Sequence, residues 1–141
     1  MTGYDRPLYQ MYLTAVPMFS ACTPHQLELI AELGDSISVG DGDEIVREGE
    51  TTDGFYVVTS GTAVVERNGA SIARLGAGDY FGELSLFDPA PRNATVLASG
   101  TLSCVVLSRA AFSRALDEIP TVRDAILQGM ARRIHVSDAR V

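Results

Sequence analysis

Apolar residues recur along this chain in two rhythms, and the change of rhythm divides it into three parts. Up to about Leu33 the spacing is helical. Tyr9, Tyr12, Leu13 and Val16 make one short apolar stripe that Pro17 interrupts, and Thr23-Pro24 ahead of Leu27, Leu29, Ile30 and Leu33 supplies an N-cap, a first-turn proline and a second stripe. From 34 to 107 the runs are short, apolar or alternating, and fall at 37–39, 44–47, 55–59, 62–67, 71–75, 94–98 and 102–107. Between them stand Gly40-Asp41-Gly42, Gly49-Glu50, Ser60-Gly61, Asn68-Gly69 and Gly76-Ala77-Gly78. Asn68-Gly69 is the strongest of these turns, because a two-residue hairpin needs positive φ at both central positions. After 107 the helical rhythm returns. Ser108 reads as the N-cap of one helix, Pro120 separates it from a last helix starting near Thr121, and Val122, Ile126, Leu127, Met130 and Ile134 follow at spacings of three and four.

This pattern predicts a mainly β fold with flanking helices: an antiparallel β-roll or jelly roll with helices at both ends. At 141 residues and 46% hydrophobic, one domain over 1–141 is expected, with a helical start at 1–33, a roll at 34–107 and C-terminal helices at 108–138. No internal repeat is visible. The apolar stripe of the last helix packs on its own domain, or forms a dimer seam or a movable lid.

Charge narrows the partners. With 11 basic against 18 acidic residues, the net charge of −7 repels polyphosphate backbones, so nucleic acid is not expected. No apolar run approaches the roughly 18 residues of a membrane span, and MTGYDRPLYQ lacks the basic-then-apolar order of a signal peptide. A cytoplasmic protein without membrane partners is expected. Every basic residue is Arg, which removes Schiff-base chemistry and a lysine phosphate clamp. Cys22 and Cys104 suit reduced packing residues, and His25 and His135 stand near opposite ends, so no metal site and no cofactor are expected.

One segment, 76–96, does not alternate like a strand. Gly82 permits a close turn, and 83–87 has room for little more than one helical turn before Asp88-Pro89 and Pro91 end it. Backbone N–H groups at such a turn, with Arg92 nearby, offer an anion site. An acidic chain must build that site locally from guanidinium and backbone donors. Glu83 suits a sugar hydroxyl a short distance from the anion, which suggests a ligand carrying a phosphate and a free hydroxyl.

The string from Phe81-Gly82-Glu83-Leu84-Ser85-Leu86 to Pro91-Arg92-Asn93-Ala94-Thr95-Val96 resembles the phosphate-binding cassette of the cyclic nucleotide-binding domain family, here placed at 81–96. Gly42-Asp43-Glu44-Ile45-Val46-Arg47-Glu48-Gly49-Glu50 and Asp53-Gly54-Phe55-Tyr56-Val57-Val58 are similar to that family's early strands and glycine turns. The resemblance runs over most of the chain, 16–134. It implies a Crp-like or protein kinase A regulatory-subunit-like β-roll that binds cAMP or cGMP, with cAMP first. It further implies that Glu83 accepts from the ribose 2′-hydroxyl, that Arg92 pairs with the cyclic phosphate, and that Gly82 approaches the ribose. Ser85 and Asn93 would turn backbone N–H groups to the phosphate, with Leu84 and Ala94 also among the ligand-binding positions. Asp53 would couple the arginine to the roll, and Met130 and Ile134 would cover the base. Asn93 departs from the small residue usual in the family; its amide bonds the phosphate or the purine, or crowds the pocket.

The expected function is a non-enzymatic sensor that relays binding through its terminal helices to an effector protein or domain, or through a homodimer formed by the C-terminal helix. The alternative is a β-roll interaction or assembly module that no longer binds nucleotide. An enzyme using Glu83 with Asp79 or Asp88 is disfavoured, because carboxylates in Gly/Pro-rich loops commonly cap turns and no nucleophile–His pairing is legible. With the chain ending at Val141, no helix-turn-helix is expected after the last helix.

Overall fold

The computed structural model describes residues 5–134, with the side chains of 132–134 excluded. The expected helical residues 135–138, and His135, therefore lie outside the described residues. Two helices open the chain, α1 (Arg6–Thr14) and α2 (Pro24–Ala31), with a 3₁₀ turn at Pro17–Phe19 between them. Each is started by its own cap. Asp5 accepts the Leu8 N–H at 3.1 Å, and Thr23 and Gln26 form a reciprocal capping box at 3.2 and 2.8 Å.

Six strands follow: β1 (Asp35–Val39), β2 (Glu44–Val46), β3 (Phe55–Arg67), β4 (Ala70–Leu75), β5 (Tyr80–Phe81) and β6 (Thr95–Leu107). Helices α3 (Arg109–Glu118) and α4 (Pro120–Ile134) complete the described chain, and Ser108 caps α3 on the Ala111 N–H as the sequence predicts. All strand pairs are antiparallel, in the order β1-β6-β3-β4, with β2 on β6 and β5 on β3. The Asn68-Gly69 hairpin joins Arg67 to Ala70, with φ of 53° and 79° at its two central residues.

The pairs 55–59 with 62–67, and 94–98 with 102–107, are expected as separate strands; each is instead one strand of 13 residues. β3 and β6 pair from Phe55↔Leu107 to Glu66↔Thr95, with register shifts at Ser60 and Thr62. A side chain on Gly61 would run into the Thr101 carbonyl. The glycine thus marks an irregularity where two backbones come close and does not end the strand.

The continuous strands serve two cores. Val58, Val65, Val96, Leu102 and Cys104 pack inside the roll with Phe81. Phe55, Val57, Val105 and Leu107 join the helices, where Phe19 meets Phe112 edge-on at 6.4 Å. On α4 the buried positions are Val122, Ala125, Ile126 and Gly129, whereas Leu127, expected in the apolar stripe, is 61% exposed. Small residues take its place because α4 crosses the Pro17–Phe19 turn so closely that a side chain on Gly129 would strike the Met18 carbonyl.

Candidate functional site

The cassette begins where β5 ends. Phe81 enters the roll core with its ring stacked on Tyr56 at 4.9 Å, and Gly82 then turns the chain at φ 83°, a left-handed conformation that favours glycine. A single 3₁₀ turn follows, Glu83–Leu86, and within it the Ser85 N–H closes on the Gly82 carbonyl at 3.1 Å. The Ser85 hydroxyl lies 2.6 Å from that carbonyl and 3.0 Å from the Gly54 carbonyl, so one buried side chain ties the turn to the start of β3. Glu83 is 1% exposed, a degree of burial that a carboxylate rarely reaches outside a functional or paired setting.

The second half of the cassette is held as extended chain. Thr51 and Pro91 form an isolated bridge, the Arg92 N–H donates to the Glu50 carbonyl at 2.9 Å, and the Gly49 N–H donates to the Arg92 carbonyl at 2.8 Å. The Arg92 side chain reaches across to the same loop. Its Nε donates to Thr52 Oγ1 at 3.0 Å and its Nη2 to the Gly54 carbonyl at 3.1 Å. Burial lowers the guanidinium pKa from its ordinary value, while Tyr56 and Asp53 act in the opposite direction. A guanidinium starts so high that it remains a cation at neutral pH.

Gly82, Leu84, Ser85, Arg92 and Asn93 together line a hollow of about 150 Å3. Glu83 and Ala94 sit beside it in the chain, both buried. A larger hollow of about 350 Å3 between α1 and α2 is lined by Pro7, Gln10, Met11, Cys22 and Leu27 among others and has no charged side chain, so it does not suit an anion. Among the described residues no group of His, Cys, Asp and Glu is arranged to hold a metal ion, and no helix is long and apolar enough to cross a membrane.

Asp53, expected to couple Arg92 to the roll, acts on the guanidinium electrostatically and has its carboxylate 3.4 Å from the Arg109 N–H at the start of α3, while the hydrogen-bonded anchors of Arg92 are Thr52 and Gly54. The Ser85 N–H, expected to face a phosphate, is engaged within its own turn. Met130 packs against the helix-side core, away from the hollow, and the side chain of Ile134 lies outside the described residues. Thr52 and Gly54 were not legible as site residues: a backbone carbonyl has no sequence signature, and a Thr in a polar loop is unremarkable.

Residues 36–118 match the model of the family described as the cyclic nucleotide-binding domain, and the chain belongs to that family. It is 38% identical over 122 residues to a cAMP-dependent protein kinase regulatory subunit of Mucor circinelloides f. lusitanicus, covering 84% of this chain and 29% of that protein. A regulatory subunit of the same description from Blastocladiella emersonii is 35% identical over 126 residues, covering 86% of this chain and 31% of its own length. The chain thus spans less than a third of these relatives. Among solved structures, the N-terminal domain of a transcriptional regulator from Streptomyces coelicolor A3(2) superposes with a TM-score of 0.80 at 31% identity, covering 91% of this chain and 99% of that one. The regulatory domain of Toxoplasma gondii PKA, crystallised with cAMP, gives 0.67 at 31% identity, covering 89% of this chain and 49% of that one. The antiparallel roll with flanking helices is the architecture of these neighbours.

Proposed function

We propose that the chain is a regulatory module, a single unit over 1–141, that binds a cyclic nucleotide, cAMP before cGMP, in the cassette hollow. The observation that carries this reading is the placement of Arg92: its guanidinium is held by Thr52 and Gly54 at the wall of a small hollow, with a buried Glu83 following Gly82. A fixed guanidinium can take a phosphate through paired N–H donors, and a carboxylate nearby can accept from a ribose hydroxyl but would repel a second anion. That combination suits one cyclic phosphate with a free 2′-hydroxyl. The name of the fungal relatives and the cAMP in the Toxoplasma structure support adenine as the base.

In this reading Gly82, Leu84, Ser85, Asn93 and Ala94 form the cassette wall around Glu83 and Arg92, and the Ser85 turn loosens to free its N–H for the phosphate. Arg92 is bonded to Thr52 and Gly54, and Asp53 between them meets the first N–H of α3. A ligand that draws on Arg92 therefore acts on the loop that abuts α3, and it biases the helices if it favours one arrangement over another. Met130, packed in the helix-side core, reaches the base only if α4 leaves the Pro17–Phe19 turn, and Ile134 is proposed to join it there. The output is a non-catalytic effect on a partner, for which the relatives' name supports a protein kinase; exposed Leu127 makes α4 a candidate homodimer contact. Calorimetric titration with cAMP and cGMP tests the ligand, and slower amide exchange across 122–134 at saturating ligand tests the relay. Unchanged exchange would leave a binding roll without a switch.

A further inference from the structure

The last residue of β3 reaches across to the end of the cassette. Arg67 donates its Nε–H to the Asn93 carbonyl at 2.9 Å, bridging 26 residues. Its neighbour Asn68 donates its N–H to Glu48 Oε1 at 2.9 Å, and the Glu48 N–H in turn donates to Thr95 Oγ1 at 2.9 Å. With the Gly49 N–H on the Arg92 carbonyl, the Arg92 carbonyl and the Thr95 hydroxyl receive donors from the adjacent residues Gly49 and Glu48, and the Asn93 carbonyl receives one from Arg67 at the end of β3.

A peptide unit is planar and trans, so its C=O and the following N–H point in opposite directions. Gly49, by holding the Arg92 carbonyl, turns the Asn93 N–H away from the 47–50 loop. Arg67, by holding the Asn93 carbonyl, turns the Ala94 N–H away from the hairpin. The Gly49 bond is part of a backbone pairing that several neighbours maintain. The Asn93–Ala94 peptide receives at its carbonyl the Nε–H of Arg67, an exposed side chain.

We propose that Arg67 is a positioning residue for the cassette: through the Asn93 carbonyl it orients the Asn93–Ala94 peptide and thereby sets how tightly the hollow holds a cyclic phosphate. This rests on the hollow being the cyclic phosphate site. Arg67 touches no ligand in this scheme. Its effect passes through the backbone, so the donor atom matters and the charge does not.

Two substitutions separate those properties. Arg67→Gln removes the charge but keeps an N–H donor at the same distance along the side chain, whereas Arg67→Met removes both at similar bulk. Titration of the full chain with cAMP is expected to show Arg67→Met weaker by roughly fivefold, the scale of one exposed hydrogen bond, and Arg67→Gln close to the unsubstituted protein. Melting temperatures without ligand should agree across all three proteins, because Arg67 is exposed. The Ala94 amide resonance should move in Arg67→Met and stay in place in Arg67→Gln. Equal affinity for Arg67→Met and the unsubstituted protein overturns the proposal, and so does equal weakening of both variants, which would make charge the cause. Failure of the unsubstituted protein to bind any cyclic nucleotide is a different result: it removes the reading of the hollow itself, and it is seen before any variant is made.

Discussion

Arg92 occupies the space that a side chain on Gly82 would need: a methyl carbon placed on Gly82 would stand 2.5 Å from Arg92 Nη1 and 2.7 Å from the Gly54 carbonyl oxygen. The glycine serves the turn, at φ 83°, and also lets the guanidinium lie against the backbone. Gly82→Ala therefore meets two costs, about 1–2 kcal/mol for a left-handed Ala and the displacement of Arg92 from Gly54. The variant is expected to stay folded with a lower melting temperature and to lose at least about tenfold in cyclic nucleotide affinity. Wild-type affinity in Gly82→Ala would show that the position of Arg92 does not govern binding.

Glu83 is buried next to Gly82 at the hollow, and on the proposed reading it accepts from the ribose, so its carboxylate should matter for the 2′-hydroxyl specifically. Glu83→Gln keeps the shape and is expected to weaken cAMP by less than Arg92→Ala does. In that variant 2′-deoxy-cAMP should lose little further affinity, since both changes remove the same hydrogen bond. Additive losses in the cycle would detach Glu83 from the ribose.

Gly129 faces the Met18 carbonyl with no room for a side chain. Gly129→Val forces α4 off the Pro17–Phe19 turn and is expected to destabilise the fold by roughly 1–3 kcal/mol, read as a lower urea midpoint. An unchanged midpoint would mean that α4 does not sit there in solution.

Burial raises the Cys22 and Cys104 thiols to about 11 from an ordinary 9.0. Both stay protonated at neutral pH, and their contribution to stability, present below about pH 9, is lost as the pH rises toward 11. At pH 8 a disulfide reagent is expected to modify buried Cys104 only as fast as the protein opens, half-buried Cys22 sooner, and both at once in denaturant. Rapid reaction of native Cys104 would contradict that burial.

What the sequence disclosed about the fold depended on local signals. The Thr23 and Ser108 caps and the Asn68-Gly69 hairpin are each written in adjacent residues, and each stands where expected. β3 is expected to end near Gly61 but runs through it, because a glycine that admits a neighbouring backbone looks the same in sequence as one that ends a strand. β5 has only two residues and no alternation to betray it. On α4, periodicity favoured Leu127 for burial over Ala125 and Gly129, but the close crossing selects small residues and only the tertiary partner reveals that. At the site, Gly82, Ser85, Arg92 and Asn93 were legible because the cassette is contiguous. Thr52, Gly54 and Arg67 were not, since their contributions are contacts made across 40, 38 and 26 residues.

Arg92 is proposed to bind the phosphate of a cyclic nucleotide. Isothermal titration of cAMP into the unsubstituted chain and into Arg92→Ala, with circular dichroism confirming that both are folded, tests it most directly. Saturable binding that Arg92→Ala abolishes or weakens by a few kcal/mol, with Arg92→Lys also weaker because an ammonium lacks the planar fork, is the expected result. Equal affinity in the unsubstituted and Arg92→Ala proteins would contradict the account.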